Sequence, residues 1–346
     1  MNVLVLGNLG YVGTVLTRYL QAQGHAVTGF DIGYFENCTI ADVPAADRQL
    51  IGDVRALPAD IYNGIDAVIH LAALSNDTLG ELSAGVTQEI NVGGLAHSIA
   101  HAKAAGIERF VFASSCSMYG RSEGDAPLDE SAQQNPLTAY ARSKCEGEAL
   151  LQAAKDAHFR PTALRFSTAY GWSERPRLCL VVNNLAACGL AEGRIDLESD
   201  GTPWRPLIHV EDMARAMEAV LRAPIDRVGG RSFNVGTTSE NYQVRTIATT
   251  VAALLGDLPV TIGPSGGADQ RSYNVDFTAF HAAVPAFKAA WTMEAGARDF
   301  IERFRERFDR ADFRSDRYFR IRRITSLIAS GELAPDLHRL RALSRP

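Results

Sequence analysis

Two side chains one helical turn apart carry the clearest chemistry in this 346-residue sequence. In Tyr140-Ala141-Arg142-Ser143-Lys144 a phenol and an ammonium have the spacing that places both on one helix face, where they can act on one site. The chain has 10 Tyr but only four Lys (Lys103, Lys144, Lys155, Lys288) against 31 Arg, so chance rarely supplies such a pair. A free phenol, with a pKa of about 10, is a poor base at neutral pH. An ammonium about 4 Å away, at an effective dielectric of about 20, stabilises the phenolate by up to about 4 kcal/mol, which makes Tyr140 a candidate general base. Upstream, Phe112-Ala113-Ser114-Ser115-Cys116-Ser117-Met118-Tyr119-Gly120 follows an apolar run. A Ser hydroxyl there can donate a hydrogen bond to a sugar oxygen or carbonyl at the C-terminal edge of a sheet, where ligands of open α/β sheets bind. A serine-rich turn that only caps a strand would read the same way.

Gly7-Asn8-Leu9-Gly10-Tyr11-Val12-Gly13 follows the first apolar run and opens a helical stretch. Of the three glycines, one suits a tight turn, one lets backbone N–H groups approach a pyrophosphate, and one lets helix and strand pack closely. The helix N-terminus adds free donors and a partial positive charge. Asp31, 18 residues after Gly13, ends the next apolar run, where its carboxylate can accept from ribose hydroxyls and would repel a 2′-phosphate. The expected cofactor is therefore NAD rather than NADP. Asp53-Val54 can border the adenine, though a Gly-Asp turn accounts for that pair almost as well. Five Cys (Cys38, Cys116, Cys145, Cys179, Cys188) show no C-x-x-C pair and no metal-ligand spacing, so free thiols and no metal are expected.

These groups need elements to hold them. Val3-Leu6, Ala26-Phe30, Ala67-Leu71, Arg109-Ser115 and Thr162-Phe166, with the weaker Gln49-Gly52, are near-continuous apolar runs of the kind buried on both faces of a parallel sheet. Tyr11-Gln23, Thr87-Ala105 and Thr138-Ala157 carry apolar residues at helical spacing between them. The alternation predicts an α/β fold, a doubly wound parallel sheet over residues 1–165. A smaller C-terminal substrate-binding lobe is expected over 166–299, where Pro176, Pro203, Pro206 and Pro264 break the regularity. Residues 300–346 hold 12 Arg against seven acids, an Arg-rich tail that reads as a solvated amphipathic helix or as a contact for another subunit or an acidic partner. With 46% hydrophobic and 22% charged residues the chain reads as an ordinary globular protein. A net charge of −5 gives no electrostatic footprint for nucleic acid, and no apolar run reaches membrane-span length. Without a signal-peptide pattern, and with thiols suited to a reducing compartment, a cytoplasmic protein is expected.

Taken together and in order, Gly7-x-x-Gly10-x-x-Gly13, Asp31, Asp53-Val54, His70-Leu71-Ala72-Ala73, Asn91, Ser114-Ser115 and Tyr140-x-x-x-Lys144 resemble the extended short-chain dehydrogenase/reductase family, in particular its NAD-dependent nucleotide-sugar epimerase/dehydratase branch. The resemblance covers about residues 1–280. It implies that Ser115 is the catalytic Ser/Thr, Tyr140 the base and Lys144 the ribose-binding lysine, with Leu71 and Ala72 beside the cofactor. In Leu164-Arg165-Phe166-Ser167-Thr168-Ala169-Tyr170-Gly171, Thr168 stands where many members carry Asn at the sugar site. Arg205 and Arg271 lie in segments that resemble those whose arginines meet the nucleotide diphosphate, and forked guanidinium donors suit that group. Dehydratase members carry an Asp-Glu pair after the catalytic Ser/Thr; here Cys116 and Ser117 stand there, which disfavours dehydration. Cys116 itself reads as a small buried thiol. The implied activity is epimerisation of a nucleoside-diphosphate sugar through a transient keto-sugar, and the implied assembly is a homodimer. Reduction of a 4-keto sugar by NAD(P)H uses the same residues, and a non-catalytic NAD-binding scaffold is the reading outside the enzymes.

Overall fold

The structure is a computed structural model that describes residues 1–75, 83–122, 124, 126–265 and 271–340. Apolar runs with no polar alternation must be covered on both faces, and that requirement builds the main sheet. Its strands in chain order are β1 (Asn2–Leu6), β2 (Ala26–Asp31), β3 (Arg48–Ile51), β4 (Ala67–His70), β5 (Arg109–Ser115) and β6 (Thr162–Phe166). Six strands follow: β7 (Thr168–Tyr170), β8 (Ile195–Asp196), β9 (Trp204–His209), β10 (Arg231–Val235), β11 (Asn241–Gln243) and β12 (Val260–Thr261), of which β7, β9 and β11 form a smaller sheet, β8 and β12 a short pair, and β10 returns to the main sheet. The seven-stranded order is β10-β6-β5-β4-β1-β2-β3, parallel throughout, with the chain reversing direction across the sheet between β1 and β4.

The main sheet does not stop near residue 165. β10 pairs with β6 from Arg231↔Thr162 to Val235↔Phe166. The Val210–Arg222 helix packs Met213, Met217 and Val220 against Val15, Leu16 and Leu20 of the Tyr11–Ala22 helix. A five-residue strand reading Arg-Ser-Phe-Asn-Val lacks an apolar run, and only its pairing with β6 gives it away. The smaller sheet, β11-β9-β7, sits beside the C-terminal ends of the main strands.

The Arg-rich end is likewise not a solvated appendage. The Met293–Arg307 helix buries Phe300, Ile301 and Phe304 with Trp172 and Leu178. The Arg320–Ala329 helix sends Ile324 and Leu327 into the core beside Phe30, Tyr34 and Val54. Their apolar stripes decide the packing, and most arginines simply face outward.

The helix expected over 87–105 is interrupted. Ala84–Gln88 is followed by a π-helical turn, Glu89–Gly93, and then by Gly94–Ala104. Such turns insert one residue per turn and re-aim side chains, here the buried Asn91. The Ala139–Ala154 helix starts where Thr138 Oγ1 accepts from the Ala141 N–H at 3.1 Å. It ends before residue 157 because Lys155 turns extended and Asp156 accepts from the His158 and Phe159 amides.

Candidate active site

A cavity of about 710 Å³ runs along the C-terminal edge of the main sheet and under the smaller one. Gly7, Gly10 and Gly13 line one end. Gly7 has φ +89°, and a Cβ there would lie 2.7 Å from the Ala72 nitrogen. At Gly13 a Cβ would lie 2.3 Å from the Gly7 carbonyl oxygen, so helix and loop touch through bare backbone. Gly10 begins the Tyr11–Ala22 helix with no side-chain cap, which leaves that helix's first amides to a ligand. This backbone cradle fits the pyrophosphate of a dinucleotide. Leu71 and Ala72 form the facing wall.

Asp31 closes β2. Its carboxylate accepts from the Gly33 N–H at 2.7 Å and the Leu9 N–H at 3.1 Å, which fixes its orientation toward the cavity. Burial pushes its pKa up, and those two amides oppose the shift. Asp53 and Val54 also line this end. The Asp53 carboxylate is gripped by Arg55, whose Nε lies 3.0 Å from both oxygens, so part of its capacity is spent on the turn it caps.

In the middle of the cavity stand Ser115, Tyr140 and Lys144. Lys144 is 3% exposed; its Nζ donates to the Ala113 carbonyl at 2.7 Å and lies 5.6 Å from the centre of the Tyr140 ring. Burial pushes the ammonium down to about 7, with Glu148 opposing. Ser115 Oγ accepts from the Ser117 N–H at 3.1 Å, which anchors the oxygen and aims the hydroxyl for donation. Asn91 ties the wall to the Ala139–Ala154 helix: its side chain accepts from the Leu74 N–H at 2.8 Å and donates to Ser143 Oγ at 2.9 Å.

Two neighbours of this centre are structural. His70 is wholly buried against Phe110 and Phe112, and burial, aided by Lys144, pushes its pKa down to about 3, so it is neutral. Cys116 is also wholly buried, outside the cavity lining; its Sγ donates to the Arg165 carbonyl at 3.0 Å, and burial pushes the thiol up. Behind the Tyr140–Lys144 helix, Ser114 Oγ donates to Glu148, which pairs with Arg165 at 2.8 Å.

Thr168, Arg205 and Arg271 line the far end. Arg205 Nη1 donates to the Trp204 carbonyl at 2.8 Å and to the carbonyl of Arg271, so two segments remote in sequence are joined at this point. Asp269 and Gln270, which precede Arg271 in its motif, lie outside the described residues. Among the lining groups that sequence reasoning missed are Arg177, Cys179 and Arg320. Arg177 donates to the Ser75 carbonyl at 2.7 Å and to Ser75 Oγ at 3.2 Å. Burial works against its charge, while Cys179, Tyr140 and Tyr11 favour it, and the net effect raises its pKa. The available signal was Arg175-Pro176-Arg177, a paired cation in the loop that follows β7. Among the described residues no group of His, Cys, Asp and Glu could hold a metal ion, and no helix is long and apolar enough to cross a membrane.

Comparison with known proteins places this geometry. The description "NAD dependent epimerase/dehydratase family" matches residues 3–236. A UDP-glucose 4-epimerase of Lactobacillus helveticus is 28% identical over 299 residues, covering 80% of this chain and 89% of that protein. One of Rhizobium meliloti (strain 1021) is 31% identical over 268 residues, covering 68% and 76%. The solved structure of MoeE5 in complex with UDP-glucose and NAD is similar with a TM-score of 0.76 at 28% identity, over 88% of this chain and 99% of that one. With the glycine cradle, the Tyr140–Lys144 pair and the parallel sheet all inside the matched stretch, the chain belongs to the NAD dependent epimerase/dehydratase family.

Proposed function

We propose that this protein is an NAD-dependent nucleotide-sugar epimerase. One observation carries the reading: a single continuous cavity joins the glycine cradle and Asp31 to Ser115, Tyr140 and Lys144, and then to Arg205 and Arg271. A small alcohol would need only the first two parts. Relatives named UDP-glucose 4-epimerase, and MoeE5 with UDP-glucose and NAD, support the same assignment.

When bound, NAD supplies a reversible hydride acceptor for a carbon of the sugar. Ser115 donates to the reacting sugar oxygen, Tyr140 takes the hydroxyl proton as the carbonyl forms and returns it as the alcohol re-forms, and Lys144 stabilises the phenolate. Arg205 and Arg271 hold the diphosphate while the sugar turns to present its other face, so binding energy from the nucleotide keeps the intermediate in place. Thr168 contacts the sugar. Gly7, Gly10, Gly13, Asp31, Asp53, Val54, Leu71 and Ala72 form the cofactor end. The outward sides of the Gly94–Ala104 and Ala139–Ala154 helices carry Ala100, Ala104, Ala149 and Ala153, small enough for close helix approach, and a homodimer through these faces belongs to the proposal. So does a cytoplasmic location, for a chain none of whose five cysteines is in a disulfide.

The test is incubation with UDP-glucose and with UDP-glucuronic acid, following sugar configuration by NMR and reduced nicotinamide by absorbance. Isomerisation without added reductant is expected, and Tyr140→Phe should lose at least 99% of it while NAD affinity stays within about threefold. Stoichiometric consumption of NADH on a 4-keto sugar, without isomerisation, would instead make it a ketoreductase.

A further inference from the structure

The C-terminal segment packs on the loop that follows Asp31. Arg339 donates to the carbonyls of Ile32 at 2.7 Å and Gly33 at 2.6 Å, Arg55 to that of Asp336 at 2.8 Å, and the Tyr34 hydroxyl to that of Leu337. Leu333 and Leu337 join the core beside Phe30 and Val54. From this segment Phe319, Arg320 and Ile321 reach the same cavity that Gly10 and Asp31 line.

Arg320 is 4% exposed. Its guanidinium lies 4.2 Å over the Phe35 ring, and Nη2 donates to the carbonyls of Arg175 and Pro176 at 3.3 Å each. Nη1 is buried with no hydrogen-bond partner among the described residues. Arg320 also opens the Arg320–Ala329 helix, which has no side-chain cap and no acidic residue in its first turn. Arg320, Arg322 and Arg323 stand there instead, at the end of a helix whose dipole disfavours cations. Arg323 is paired with Asp316, and Arg322 donates to the carbonyl of Arg314, whereas Arg320 turns inward. Asp31 lies within electrostatic range of Arg320, but its oxygens already accept from the Leu9 and Gly33 amides. A buried cation with an unused donor, at an uncapped helix N-terminus on a dinucleotide cleft, calls for an anion of that dinucleotide.

We propose that Arg320 binds the pyrophosphate of the cofactor, and that the C-terminal segment is a clasp that retains NAD between turnovers. The inference rests on NAD as the resident cofactor and deepens the epimerase reading, because an epimerase keeps its nicotinamide whereas a ketoreductase must exchange it at each turnover.

The test uses the full chain stripped of nucleotide, with Arg320→Met and, should that variant fail to fold, Arg320→Gln, whose amide can still donate to the Arg175 and Pro176 carbonyls. Calorimetric titration should show Kd at least tenfold weaker for both NAD and ADP-ribose, since both carry the pyrophosphate. Nucleotide-free Arg320→Met should melt at or above the wild-type temperature, because a buried unpaired cation has been removed, while its gain in Tm on adding NAD should shrink. Unchanged affinity for NAD overturns the proposal, as does weaker binding of NAD with unchanged binding of ADP-ribose. An equal fall in Tm with and without NAD also overturns it and makes Arg320 a structural residue. If the wild-type protein binds neither NAD nor ADP-ribose, the cofactor reading itself fails; if it binds both and the variants match it, only the role of Arg320 fails.

Discussion

Lys144→Met separates the electrostatic role of this lysine from a purely structural one. Its Nζ lies 5.6 Å from the centre of the Tyr140 ring. At an effective dielectric of about 20 that separation gives about 3 kcal/mol of attraction between ammonium and phenolate, or about two pK units on the phenol. Where Lys144 is ionised, removing its charge should therefore raise the pKa of the phenol by about two units and lower kcat/KM by up to about 100-fold, with the gap to the wild type narrowing as pH rises through about 7 and the wild-type ammonium itself is lost. The same substitution has an opposite effect on folding. Burial holds the Lys144 pKa at about 7 against its ordinary 10.5, so the unfolded chain binds more protons between those pH values. This lysine's cost to cofactor-free stability is therefore full below pH 7, falls as pH rises through that window, and vanishes above it. Denaturant melts at pH 7 and pH 9 should show the wild type gaining on Lys144→Met as pH rises, with the variant the more stable at pH 7. A neutral-pH loss in rate that is the same at every pH, together with parallel stability curves, would refute the argument and reduce Lys144 to a ribose contact.

Gly13→Ala forces a Cβ to 2.3 Å from the Gly7 carbonyl, and overpacking backbone against backbone should cost about 3 kcal/mol or more, with loss of NAD binding measured by calorimetry. Wild-type affinity in that variant would show that the cradle is looser than the structure has it. Glu148→Ala leaves Arg165, whose side chain is 7% exposed, as an unpaired buried cation; urea titration should show a loss of about 3–5 kcal/mol, and a loss below about 1 kcal/mol would mean that water enters the site. Arg205→Ala should raise KM for the nucleotide sugar at least tenfold with a smaller change in kcat, the pattern of binding lost equally in ground and transition states. An unchanged KM would place the diphosphate elsewhere in the cavity.

The candidate site residues were legible in the sequence because the chemistry proposed for them depends on local spacing. The Gly7–Gly13 cradle, Asp31 at the end of β2 and the Tyr140–Lys144 pair each lie within one strand, one turn or one helix, and the periodicity that forms those elements also sets where their side chains point. β1, β2, β4, β5 and β6 were legible for a related reason, since strands covered on both faces must be apolar along their length, whereas β3, at the sheet edge and only half-buried, carries Arg48 and Gln49 and gave a weaker signal. Other features were decided only in three dimensions. β10 is a strand because β6 needs a partner, not because Arg231–Val235 resembles one. Asn91 reaches Leu74 and Ser143 through a π-helical turn that no residue pattern announces. Arg320 illustrates the limit most sharply. It sits in the sequence as one of 12 arginines after residue 300, indistinguishable from those that face water. The burial of Ile324 and Leu327 against the core fixes the rotation of its helix, and of the described arginines after residue 300 that rotation turns Arg320 into the cavity. Local spacing is written in the order of residues, whereas the choice of which charge turns inward is made by apolar contacts between segments remote in the chain, Ile324 and Leu327 against Phe30 and Val54.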